Sequence, residues 1–121
     1  MVLVDTSVWV SYLLSGNARL RELLEEGKVM SHPFVIGELS CGNLKNTQEI
    51  LSLLKALPEA ATAKHEEVLQ FIEDQGLMGL GLGYVDIHLL AAARLTAMSL
   101  WTNDKRLRAA AVRLQVDFKS D

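Results

Sequence analysis

A single cysteine, Cys41, is all the chain contains. That excludes an intrachain disulfide, a structural zinc cluster and a CxxC redox pair, and leaves a buried, inert thiol as the expected role. No apolar run approaches the ~20 residues that cross a bilayer, and the first residues lack a basic region followed by an apolar core, so a soluble, cytoplasmic protein is expected. There is no GxxxxGK[ST] phosphate loop and no GxSxG elbow, and the glycines at 76, 79, 81 and 83 do not follow a strand as a dinucleotide fingerprint would. His32, His65 and His88 have no HExxH-type spacing and read as polar surface or boundary residues rather than ligands. An excess of basic charge is missing too. The formal net charge of −3 argues against holding nucleic acid by bulk electrostatics.

What is present is enough for one compact domain over residues 1–121, half of it apolar. The charge is uneven: residues 94–121 hold six of the twelve basic side chains and three of the fifteen acidic ones. That end, with Lys105, Arg106 and Arg108, is suited to a phosphate backbone, although a solvated helix face is an equal reading.

The apolar run 2–4 ends in Asp5-Thr6-Ser7 and is followed by an amphipathic stretch 8–14, which reads as strand, turn, helix. Further helices are expected around Leu20, Leu23 and Leu24 with Gly27 as their stop, from Pro33 to about Cys41, over 47–57, 64–75 and 84–98, and over the basic segment 105–113. Short strands are expected at 28–31, 99–102 and 116–118, and a mobile apolar loop at 76–83. Strands separated by helices imply an α/β fold, three layers deep, with a short, mainly parallel sheet covered on both faces.

Ligands of such folds collect beyond the carboxyl ends of the strands, and Asp5 and Asp104 both sit at such ends. Each of Asp5, Asp86 and Asp104 also fits a helix N-cap, and Glu38, inside a helix, also fits a solvent-facing position. Asp86 is conspicuous because its helix is apolar almost all round, where an ionised carboxylate is costly unless compensated. Carboxylates gathered together repel and raise one another's pKa. A hard cation, Mg²⁺ or Mn²⁺, relieves that and prefers oxygen ligands. Ser7 reads as a cap or as a hydrogen-bonding partner of the acidic residues, and Trp9, Tyr12 and Leu13 read as packing residues.

With these residues in place the sequence resembles the PIN-domain proteins, and among them the toxin ribonucleases of VapBC-type toxin–antitoxin pairs. The resemblance runs over essentially the whole chain and is carried by 4–9 (VDTSVW), Glu38-Leu39, 81–91 (GLGYVDIHLLA) and Thr102-Asn103-Asp104. It implies a four-acid site of Asp5, Glu38, Asp86 and Asp104 that binds Mg²⁺ or Mn²⁺, with Thr6 or Ser7 and Thr102 orienting ligands or waters. It implies an endoribonuclease acting through a metal-activated water, with RNA as substrate, products bearing a 5′-phosphate and a 3′-hydroxyl, a homodimer, and inhibition by a cognate antitoxin. Two departures stand out: Leu107, where an aromatic residue is common, and Arg113-Leu114, where Gly-Leu is common. Two other readings remain: a catalytically silent scaffold that binds RNA or a protein, and a haloacid-dehalogenase-like phosphatase with Asp5 as nucleophile. The latter lacks its second acid, because position 7 is Ser.

Overall fold

The computed structural model describes residues 1–119. Three short strands, β1 (Val2–Val4), β2 (Val29–Met30) and β3 (Ser99–Trp101), form one parallel sheet in the order β2-β1-β3. Val2, Leu3 and Val4 are all buried. Successive side chains of a strand point to opposite faces, so both faces of β1 are covered and the three-layer α/β/α arrangement follows. Each such side chain contributes roughly 1.5–3 kcal/mol on burial.

Among the described residues seven helices surround the sheet: α1 (Thr6–Ser15), α2 (Ala18–Glu25), α3 (Pro33–Ser40), α4 (Thr47–Ala56), α5 (His65–Gln75), α6 (Tyr84–Leu95) and α7 (Lys105–Arg113). Trp9 of α1 is fully buried, as its packing role predicts. After α2, Gly27 takes φ 68° and the Lys28 N–H reaches back to the Leu23 carbonyl, so the expected glycine stop is realised.

Several expectations need correction. The central helix ends at Leu95 rather than Met98, because Ala97 adopts φ 53° and the Met98 N–H bonds to the Ala93 carbonyl. No glycine marks that stop. Residues 116–118 form a single parallel bridge, Leu100 with Asp117, rather than a strand. At the opposite edge, Ser31 bridges to Glu59, a pairing without a sequence signal. Cys41 is exposed, just past α3.

His32 and His88 are core residues, 0% and 2% exposed, not surface or boundary ones. His32 caps α3, its Nδ1 accepting the Phe34 N–H at 3.0 Å, and burial pushes its pKa down to about 4, with His88 adding to the shift. The His88 ring lies edge-on between Phe34 and Tyr84, with centroids 4.5 and 4.6 Å away.

Candidate active site

The strand order reverses at β1, so a crevice opens where the chain leaves β1 and β3. Asp5 immediately follows β1, its N–H bonding to the Trp101 carbonyl of β3 at 2.9 Å. Its carboxylate is 6% exposed and does not cap α1. Instead, Asp5 Oδ2 accepts the hydroxyls of Ser7 at 2.6 Å and Thr102 at 2.7 Å. Those hydroxyls in turn accept backbone N–H groups, Ser7 Oγ from Asn103 and Thr102 Oγ1 from Asp104, each at 3.0 Å. An oxygen that already accepts directs its own proton elsewhere, so both protons point at Asp5 and hold it as an acceptor.

The other three predicted acids are carried by different elements. Asp104 precedes α7 and caps it, Oδ1 accepting the Leu107 N–H at 2.9 Å. Asp86 lies in the first turn of α6, and its Oδ2 accepts the Gly83 N–H at 3.0 Å. Burial raises the pKa of Asp86; the Gly83 hydrogen bond opposes this, while the charges of Asp5 and Asp104 add to the rise. Glu38 is exposed on α3, its Oε1 accepting the Thr6 hydroxyl at 2.6 Å, which ties it to the residue after Asp5.

A common pattern emerges. Among the described residues, each of the four carboxylates has one oxygen engaged by a donor from the chain and the other without one. Carboxylate oxygens are hard donors, of the kind that suit Mg²⁺ or Mn²⁺ rather than a softer ion. As the side chains stand, no three acidic, histidine or cysteine side chains among the described residues are grouped closely enough to hold an ion.

Of the basic residues in α7, Arg108 donates to the Thr102 carbonyl at 3.1 Å and braces the end of β3. Lys105 and Arg106 are exposed. An apolar groove of about 420 Å³, lined by Pro33, Phe34, Gly37, Cys41, Tyr84 and Val85, opens beside Glu38. Its aromatic wall was not foreseen from the sequence. The available signal was spacing: Phe34 stands one helical turn before Glu38, and Tyr84 two residues before Asp86.

Ribonuclease VapC32 of Mycobacterium tuberculosis, in strains CDC 1551 / Oshkosh and ATCC 25618 / H37Rv, is 45% identical over 111 residues, covering 91% of this chain and 90% of that protein. Two crystal structures share the fold. PAE2754 from Pyrobaculum aerophilum has a TM-score of 0.64 at 18% identity, covering 94% of this chain and 88% of that one. FitAcB from Neisseria gonorrhoeae has a TM-score of 0.60 at 17% identity, covering 93% and 94%. The PIN domain family matches residues 2–113, and the chain belongs to that family.

Proposed function

We propose that this protein is a Mg²⁺- or Mn²⁺-dependent endoribonuclease, the toxin of a type II toxin–antitoxin pair. The observation that carries the reading is the set of four carboxylates, each with one oxygen held by the chain and one left open. Family membership and the 45% identity to Ribonuclease VapC32 support RNA as the substrate.

Asp5, Glu38, Asp86 and Asp104 are the residues that would hold the metal. When bound, the cation supplies Lewis acidity, lowering the pKa of water and offsetting the charge that builds on the phosphate. The chain's own residues do the positioning. Ser7 and Thr102 lock the Asp5 carboxylate in one orientation, Thr6 does the same for Glu38, and the Gly83 N–H does so for Asp86. Lys105 and Arg106 are placed to meet the RNA backbone, whereas Arg108 is taken up by Thr102. A homodimer and a cognate antitoxin are part of the proposal. Exposed Leu14, Leu69, Met78 and Leu95 offer apolar surface for such contacts.

The test is RNA cleavage by the purified protein with Mg²⁺ or Mn²⁺, its loss with a chelator, and its loss in Asp104→Asn. Asn caps a helix as well as Asp does, so the variant is expected to fold with an unchanged melting temperature while cleavage falls at least about 100-fold. Metal-dependent cleavage retained by Asp104→Asn overturns the assignment. Metal binding without cleavage by the intact protein favours the silent binding scaffold instead.

A further inference from the structure

The loop between α5 and α6 carries glycines at 76, 79, 81 and 83, and two of them lie beside a basic side chain of α7: a Cβ at Gly76 would stand in ordinary contact, 3.8 Å from Arg113 Nη2, whereas Gly81 leaves no such room. A Cβ added at Gly81 would stand 2.6 Å from Nη1, 2.9 Å from Cδ and 3.1 Å from Cζ of Arg106. The first two are distances real Cβ atoms essentially never show, so the end of the Arg106 side chain occupies the space that a side chain at 81 would fill. Gly79 is the informative neighbour. It has nearly the same backbone, φ 73° against 76° for Gly81, yet a Cβ there would meet nothing within 4 Å. Positive φ accounts for a glycine at both positions; of these two, only Gly81 has an arginine in the place of its side chain.

The seat also has a meaningful place. Arg106 stands two residues after Asp104, and Gly81 stands two residues before Gly83, whose N–H holds Asp86. The side chain therefore spans from the helix start that carries one acid of the crevice to the loop that orients another. Among the described residues Arg106 forms neither an ion pair nor a hydrogen bond, although Asp104 stands only two residues before it. All the donors of its fork are free for an incoming anion.

We propose that Gly81 is a positioning residue for RNA binding, and that its missing side chain seats Arg106 at the rim of the acidic crevice to grip a phosphate of the substrate strand. This inference rests on the ribonuclease reading above and adds to it the residue that binds the RNA backbone and the one that places it. It gives a site built from four acids a basic group with which to meet a polyanion.

The experiment compares Gly81→Ala, Gly79→Ala, Arg106→Ala, Arg106→Lys and the Gly81→Ala/Arg106→Ala pair. It reads kcat and KM for cleavage of a short, fluorescently labelled single-stranded RNA of mixed sequence, together with the Kd for that RNA in the presence of a chelator. Loss of a charge-assisted phosphate contact is expected to raise KM and Kd about tenfold in Arg106→Ala, with a smaller rise in Arg106→Lys and kcat little changed. Gly81→Ala is expected to raise KM several-fold, and to add nothing in the Arg106→Ala background. Gly79→Ala, with equal backbone strain and no arginine beside it, is expected to leave KM and Kd unchanged. The salt dependence of binding is expected to lose about one phosphate contact's worth of slope in Arg106→Ala.

Equal effects of the two glycine variants, additivity of the pair, or an unaltered Kd in Arg106→Ala overturn the inference while leaving cleavage and the ribonuclease reading intact. Binding that weakens as described in a protein unable to cleave RNA upholds this inference and sinks the ribonuclease reading. No RNA binding at all sinks both.

Discussion

At the scale of single residues, Thr102 has the most concentrated role. It is 3% exposed, its hydroxyl donates to Asp5 and accepts the Asp104 N–H, and its carbonyl accepts from Arg108. Thr102→Val keeps the shape and deletes the hydroxyl, leaving the Asp104 N–H without its acceptor and Asp5 with one donor fewer. The expected cost is about 1–3 kcal/mol of stability and a fall of about 10–100-fold in metal affinity or in cleavage. Denaturant titration and a metal-dependence curve measure the two separately. Loss of stability without any change in the metal curve would confine Thr102 to a structural role. Asp104 has two duties of a similar kind, and they separate by substitution. Asp104→Asn retains the cap on α7, whereas Asp104→Ala removes it and is expected to lose a further ~1 kcal/mol of stability.

At the scale of elements, the end of α6 shows how a helix stops without the usual residue. Ala97 stands in the left-handed region at φ 53°, which costs a non-glycine residue roughly 1–2 kcal/mol. The helix accepts this because Met98, buried, must turn into β3. Ala97→Gly removes the strain and gives back part of the gain through a freer unfolded chain. A net stabilisation of about 0.5–1 kcal/mol is expected, read as a higher denaturation midpoint, with RNA cleavage unchanged because Ala97 lies at the strand start remote from Asp104. A lower midpoint would mean the turn is not strained. The other end of α6 is governed by polar contacts: the Gly83 N–H bonds to Asp86, and the Tyr84 hydroxyl lies 2.7 Å from His65 Nδ1.

At the scale of the molecule, the buried His32–His88 pair links the starts of α3 and α6, the two helices that carry Glu38 and Asp86. His32 titrates at about 4 in the fold and at about 6.5 when unfolded. Its contribution to stability is therefore complete above about pH 6.5 and is lost as the pH falls toward 4, where the unfolded chain binds a proton that the folded one refuses. His88 is shifted in the same direction by its own burial. The expected loss from His32 is on the order of 2–3 kcal/mol. His32→Asn keeps an N-cap acceptor and is expected to flatten the stability profile between pH 6.5 and 4; an unflattened profile would mean that other groups carry the acid sensitivity. The histidines mark the limit of reading along the chain. Asp5 is legible because it directly follows a short apolar run, Asp104 because it lies just past the segment expected as a strand over 99–102, and Asp86 because a carboxylate interrupts an apolar helix. The alternation of helices and strands is legible from periodicity. The burial of His32 and His88, the Thr6 grip on Glu38 and the Arg106 seat at Gly81 are not, because each depends on a partner far away in sequence that no local period reveals. The order of residues alone thus determined the α/β class, the elements and which acids stand at their ends, since those follow from local propensity and short-range pattern. Only the tertiary structure decided which oxygen of each carboxylate is engaged, which basic residue is free and which histidines are sealed in, because those are settled by packing and hydrogen bonds between segments that meet only when the chain folds.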